Sequence, residues 1–436
     1  MTGFEARQAR RTPHAQGVTK SITKGLARAT TLAACASLVV GCGVIPGTTV
    51  GSGDGSVTVM TWAPQDTAAT NKPGMPAMAQ AYARWINANG GINGRELKIL
   101  TCNDRNNTVS AAKCARRAAK ENVVAVVGSY SQHGRSFLAP LESAGIPYIG
   151  GYGVTADEFA SSLSYPVNGG QASLMAGLGE QLAQDCGPVA LIRPDSIAGD
   201  QLPLLLNSGL EAKGHGKASD QLAAEDATEY SSHARQALQR AGTNPAKEGC
   251  VVPALGDRTF TFMDSFRRDR DDYPAVRTGT VLGSVDQTVI DATGGRSGPY
   301  EGSFVTGWYP VETDKRWDKM KNVIREYAFE DNRIDPADPG VQTTWIAYTV
   351  LKAAIEKIGD GDVTSVAIRH ALDNGLEVDT GGLTPKLRWR FEDLIAAANF
   401  PRLINPEVTF QVVRKGQLVA ARRGFVNVEK TLVDAT

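Results

Sequence analysis

Ile86-Asn87-Ala88-Asn89-Gly90-Gly91-Ile92-Asn93-Gly94-Arg95-Glu96-Leu97 joins a helix to a strand through an unusual density of backbone-permissive residues. Asn89, Gly90 and Gly91 suit the left-handed stop of a helix, and Asn93-Gly94 makes a second tight turn two residues later. Ahead of the run, Met78, Tyr82, Trp85 and Ile86 recur at helical spacing; behind it, Leu97-Lys98-Ile99-Leu100 reads as a buried strand. The unit 57–100 is therefore strand, loop, amphipathic helix, double-glycine turn and strand. The alternation continues with a helix over 108–120, a fully buried strand over 123–127, a helix over 136–144 and a strand over 146–149. A second series starts near Ser173 with a helix through Leu182, then strand 189–192, helices 201–212 and 231–241, strand 251–254, helix 261–269 and a strand at 280–282. A short strand at 304–307 follows, then helical patterns over 317–329, 341–358 and 365–374, and a closing hairpin of 407–413 and 418–422 around Lys415-Gly416. Alternation of this kind argues for doubly wound parallel sheets, and 436 residues are too many for one core, so two lobes are expected.

The formal net charge is zero but unevenly placed. Residues 1–41 carry Arg7, Arg10, Arg11, Lys20, Lys24 and Arg28 against Glu5, which leaves the remainder acidic and without the basic face that nucleic acid requires. The basic segment leads into an apolar stretch over 32–40, far shorter than the ~20 residues a spanning helix needs. It stops at Val39-Val40-Gly41-Cys42, which resembles a bacterial lipoprotein cleavage box. That resemblance implies a signal peptide over 1–41, lipid on Cys42, and a protein anchored to the outer face of the cytoplasmic membrane; the alternative is an ordinary secretory signal. Residues 43–56 are rich in Gly, Ser and Thr and read as a flexible tether.

With Cys35 in the signal and Cys42 lipidated, Cys102, Cys114, Cys186 and Cys250 remain. Cys102 ends a predicted strand and Cys114 lies in the next helix, so a short loop closes between them. Cys186 and Cys250 each precede a predicted strand, and parallel neighbours start side by side. Two disulfides, Cys102–Cys114 and Cys186–Cys250, are expected in an oxidising compartment. The competing zinc reading lacks paired short spacings and nearby histidines.

The opening run, together with Asn103-Asp104-Arg105-Asn106, Val127-Gly128-Ser129, Ala144-Gly145-Ile146-Pro147-Tyr148-Ile149 and Tyr300-Glu301-Gly302-Ser303-Phe304, resembles type I periplasmic solute-binding proteins, specifically the branched-chain amino acid (Leu/Ile/Val) binding group of ABC importers. The resemblance covers nearly all of the mature chain. It implies an α/β fold of two doubly wound parallel-sheet lobes joined by three hinge crossings, near 166–170, 306–309 and 383–390. The N-terminal lobe would comprise 57–168 and 307–386, and the C-terminal lobe 169–306 and 387–436, after the tether 42–56.

Open α/β sheets bind ligands beyond the carboxyl ends of their strands, which two lobes place in a shared cleft. That rule singles out Ser129-Tyr130-Ser131-Gln132-His133-Gly134, whose hydroxyls and helix-start N–H groups suit a carboxylate, and Gly150-Gly151-Tyr152-Gly153-Val154-Thr155. The resemblance implies that Ser131, Gln132, Gly153 and Thr155, with Ser129 and Tyr130 beside them, hold the solute carboxylate. From the second lobe the family contributes an aromatic residue and an acid that pairs with the solute ammonium. Here Ala198 stands where the aromatic is expected, and the acid is Asp286 or Asp257. Trp62, Trp308 and Tyr309 are candidate replacement walls, though core packing explains such aromatics equally well. Asp104, Asn106 and Asn107 read as turn formers and caps of the helix from Thr108 in preference to a metal cluster.

Enzyme signatures are missing: the five histidines have no metal spacing, and there is no nucleophile elbow or phosphate loop. The expected protein is a non-enzymatic, monomeric receptor without a cofactor, whose partners are a small polar solute, an ABC permease and, through its lipid anchor, the membrane. The rival readings are a sensor for a signalling partner and an extracytoplasmic amidase-type hydrolase.

Overall fold

The computed structural model describes residues 55–67, 70–196, 199–224, 227–243, 248–397 and 399–435, apart from the Asp257 side chain. The expectations for the signal segment, Cys42, the tether up to residue 54, Ala198 and the Asp257 side chain lie outside the described residues.

β1 (Ser56–Trp62) leads to α1 (Gly74–Ala88) and β2 (Glu96–Cys102). α1 turns Met75, Met78, Tyr82 and Ile86 into the core, each such burial contributing about 1.5–3 kcal/mol. The turn after it depends on glycine. Gly90 and Gly91 hold φ of 91° and 75°, and a Cβ on Gly91 would stand 2.2 Å from the Arg95 carbonyl oxygen. The Arg95 guanidinium ties the same turn to the Gly359 and Gly361 carbonyls.

α2 (Thr108–Lys120) starts at Asn107, whose side chain accepts from Ser110 N, and β3 (Val126–Val127), α3 (Gly134–Ala144), β4 (Tyr148–Ile149) and β5 (Ser164–Tyr165) complete the first sheet in the order β2-β1-β3-β4-β5, all parallel. β3 is short by pairing, yet Met60 N donates to Ala125 O and Val124 N to Thr58 O, so the apolar run lies along β1 as its composition implies.

The second lobe holds α4 (Gly170–Asp185), β6 (Val189–Pro194), α5 (Leu202–Ala212), β7 (Ser219–Ala223), α6 (Ser231–Ala241), β8 (Cys250–Pro253), α7 (Thr259–Asp269), β9 (Arg277–Val281), α8 (Gln287–Ala292) and β10 (Phe304–Gly307). The chain then returns to the first sheet, where α9 (Asp318–Tyr327) and α10 (Pro339–Ile358) pack beside α1 and α11 (Ser365–Asp373) packs on α10. It crosses once more into β11 (Glu407–Arg414), β12 (Gln417–Ala420), β13 (Val426–Asn427) and α12 (Glu429–Asp434). The second sheet runs β12-β11-β10-β9-β8-β6-β7, parallel from β7 to β10, with β11 and β12 antiparallel and β13 paired to β11. The β11–β12 turn has Lys415 and Gly416 at φ of 55° and 73°, both positive as a two-residue hairpin needs.

β5, β7, α8, β13 and α12 have no counterpart in the sequence reading. β7 is a polar edge strand, SDQLA, with only Gln221 and Ala223 buried, so it offers no apolar run, and six-residue helices are too short to show a period.

Cys102 is bonded to Cys114 and Cys186 to Cys250, with Cα–Cα separations of 5.8 and 5.7 Å. The second pair sits where β6 and β8 start side by side, Val189 opposite Cys250. Among the described residues no group of three His, Cys, Asp or Glu could hold a metal ion, and no helix is long and apolar enough to cross a membrane.

Candidate interlobe binding site

The loops after β1, β3 and β4 leave the carboxyl edge of the first sheet together. Tyr130 N donates to Trp62 O, and Tyr152 N donates to Ser129 O, both at 3.0 Å. These bonds decide which side chains reach the cleft. Strand alternation sends Met60 and Trp62 to the α2–α3 side of β1. Trp62 is fully buried there, with ring centroids 5.4 Å from Phe137 and 6.2 Å from Tyr148, so it is core and not a wall of the cleft. Ser129 is also interior: its Oγ accepts from Trp62 N and its carbonyl accepts from Tyr148 Oη. Ser131 is buried against Asp104. Burial raises the Asp104 carboxyl pKa, while the Ser131 hydroxyl, Asn106 N and the charge of His133 pull it back.

The second loop differs from the sequence reading in a more telling way. The donors assigned to a solute carboxylate already serve one from the chain itself. Gly153 N donates to Glu158 Oε2 at 3.1 Å, and Val154 N, Thr155 N and Thr155 Oγ1 donate to Oε1 at 2.9, 3.0 and 3.3 Å. Burial lifts the Glu158 carboxyl to about 6, against the pull of those donors. Thr155 and Glu158 form a capping box over the 3₁₀ turn Ala156–Phe159. The Thr-x-x-Glu signature of such a box was in the sequence, and it explains why Gly153 and Thr155 are engaged from within.

Around Tyr152, which reaches the second lobe, the neighbours are aromatic and charged. The Tyr152 ring meets Tyr130 at 5.0 Å and Trp308 at 5.1 Å, both edge-on. Trp308 is pinned by its Nε1 donating to Gly170 O at 2.9 Å, across the first and second crossings, and Tyr309 Oη is held by Asn168 and Thr343. Gln132, exposed at the rim, donates to Tyr130 Oη at 3.2 Å. Lys72 lies 5.9 Å over the Tyr152 ring and pairs with Asp338 at 3.2 Å. Lys72 did not stand out in the sequence, and Tyr152 did so only as a member of the 150–155 loop; Asp338-Pro339 is a legible helix start, and its Asp caps α10.

From the second lobe, Asp286 caps α8 by accepting from Val289 N at 2.9 Å. Burial raises its pKa to about 6; Val289 N opposes the rise, the Asp338 and Asp335 charges add to it, and Lys72 lowers it. Thr288 of α8 donates to Asp335, which precedes α10, so α8 meets the first lobe directly. The lobes also touch at Tyr152: a Cβ on Gly283, which holds φ 101°, would stand 2.4 Å from the Tyr152 hydroxyl oxygen. Gly283→Val is therefore expected to cost the apposed state about 2 kcal/mol through overpacking and strain. Small-angle scattering checks it: the variant should be more open than the parent, and equal scattering curves would mean that Tyr152 yields without cost.

The chain belongs to the periplasmic binding protein family, whose profile matches residues 65–400. No curated protein sequence matches it. Among solved structures it resembles a substrate-binding periplasmic protein from Ralstonia solanacearum, with TM-score 0.67, 16% identity, and coverage of 84% of this chain and 100% of that one. It also resembles a solute-binding protein of an ABC transporter from Rhodopseudomonas palustris BisB5 in complex with 3,4-dihydroxybenzoic acid, with TM-score 0.67, 13% identity and coverage of 86% and 98%. A branched-chain amino acid ABC transporter protein from Thermus thermophilus with bound valine gives 0.66, 13%, 85% and 96%. At such identities the likeness is one of fold.

Proposed function

We propose that this protein is a lipid-anchored extracytoplasmic solute receptor of an ABC importer, held to the membrane through Cys42 and presenting a solute to a permease. Its lobes are 57–168 with 307–386, and 169–306 with 387–436, and they hinge shut around the solute. A solute drives closure only by binding the closed state better than the open one. The observation that carries the reading is that Tyr130, Tyr152, Trp308 and Lys72, from the first lobe and crossings, form one cluster, in which Tyr152 abuts Gly283 of the second lobe and Lys72 acts electrostatically on Asp286 there.

The solute is a small polar molecule, such as an amino acid or amide, with a flat or apolar part against the aromatic rings. Its donor end pairs with Asp286 and its acceptor end with Lys72 and Gln132. Gly153 and Thr155 contribute to solute binding only by sharing or releasing Glu158. The relatives crystallised with valine and with a dihydroxybenzoic acid support including both chemistries in a screen. Thermal-shift measurements against amino acids, amides, ureas and small carboxylates test the reading. One hit is expected whose shift grows with the logarithm of concentration and which is recovered chemically unchanged. A hydrolysed hit would replace the receptor with an enzyme, and a flat response across the panel would remove the small-solute assignment.

A further inference from the structure

We infer that the hinge holds a buried site for a hydrogen-bond donor of one heavy atom, a water molecule, shared between the lobes by Gln342 and Gln411. Gln342 lies on α10, packed on the first sheet, and Gln411 on β11 of the second. Both are almost fully buried, at 2% and 1% exposure, and both line a cavity of about 10 Å³ with Leu282, Pro310 and Leu418. Each amide nitrogen already has acceptors. Gln342 Nε2 donates to Pro336 O at 2.9 Å; Gln411 Nε2 donates to Tyr309 O at 3.0 Å and Thr409 Oγ1 at 2.8 Å. Those acceptors fix the amide orientations, since a flip would set oxygen against a carbonyl. Among the described residues, both Oε1 atoms are then left without a partner.

Buried acceptors without donors are rare in native proteins, and a cavity of ~10–15 Å³ with at least two polar partners is what one water needs. To satisfy both oxygens the occupant must donate, because an amide oxygen only accepts. Glu312 also lines the cavity, but it is paired with Lys321 at 2.5 Å, so no unpaired anion there calls for a metal ion. Because the two glutamines belong to different lobes, the donor finds both acceptors only when the lobes are apposed. It therefore favours that state whatever solute the cleft takes.

A crystal structure of the full chain at high resolution tests the site directly. A density peak ~2.7–3.2 Å from both Oε1 atoms is expected. An empty cavity, or either amide turned to another donor, overturns the inference. Gln342→Met and Gln411→Met, singly and together, give the second reading. Each should lower Tm by about 2–4 °C, and the pair by less than the sum, because either loss evicts the same donor. Additive losses would mean that the two oxygens share nothing. Matched ammonium and sodium chloride buffers separate the two possible donors. Equal Tm values support water, and an ammonium-specific rise abolished by Gln342→Met would overturn water as the occupant.

Discussion

Loss of the Cys186–Cys250 disulfide is expected to destabilise the protein by about 4 kcal/mol, and loss of Cys102–Cys114 by about 3 kcal/mol. The difference follows from loop closure in the unfolded chain. The first bond spans 64 residues of sequence and the second 12, and the entropy withheld from the unfolded ensemble grows with the logarithm of that span. Position adds a local term. Cys186 ends α4 and Cys250 opens β8, so the bond clamps the entry of two adjacent parallel strands. Both cysteines are almost fully buried, which recommends Ala over Ser, since a hydroxyl there would be buried without an assured partner. Urea unfolding of Cys186→Ala/Cys250→Ala and Cys102→Ala/Cys114→Ala, each beside the parent, checks the order. If the stabilisation acts through the unfolded chain, the m-value should rise with the loss, because a longer open chain exposes more surface. Equal losses for the two pairs would discard the loop-entropy account.

Most of the fold was legible because it rests on local chemistry. Asn107 and the helical spacing of Ala111, Cys114, Ala115 and Ala118 set α2, and the double-glycine turn cannot carry side chains at Gly91. β7 was hidden because an edge strand need not be apolar. The site was less legible for a different reason. Which face of β1 Trp62 takes depends on the register of one strand, and a step of one residue exchanges core for cleft. The donors of the 153–155 loop looked available because the sequence shows who can donate, and only the fold shows that Glu158 curls back to accept. Lys72 carried no local signal, and Tyr152 was marked only by its place in the 150–155 loop; their meeting with Asp338, Gly283 and Asp286 is made by chain crossings between residues about 70 to 340.

Replacing Asp286 with Asn is expected to stabilise the unliganded protein by up to about 3 kcal/mol above pH 7 and to change little near pH 4. The native carboxyl titrates at about 6 against an ordinary 3.8, mainly because burial penalises its charge, with Asp338 and Asp335 adding to the rise. A raised carboxyl pKa means that the folded state holds the proton more tightly than the unfolded one. The protonated group's contribution is therefore full below the unfolded pKa, fades as pH climbs, and is lost above about 6. Solvent reaching this partly exposed side chain screens some of the penalty, so 3 kcal/mol is a ceiling. Asn keeps the helix cap, since its Oδ1 accepts from Val289 N as well as a carboxylate does. Glu158, also lifted to about 6, titrates in both proteins and cancels in the difference. Urea melts of parent and variant from pH 4 to 7.5 should then diverge upward from about pH 5. A constant difference, or a variant weaker at pH 7.5, would show that Lys72 compensates the Asp286 charge after all. On the reading proposed above, the same substitution has the opposite sign for binding, because a solute ammonium adds a counter-charge to the Asp286 carboxylate, whose charge Lys72 offsets only in part. Stability withheld from the unliganded protein at Asp286 is then affinity held in reserve for a cationic end, and the two measurements should move against each other.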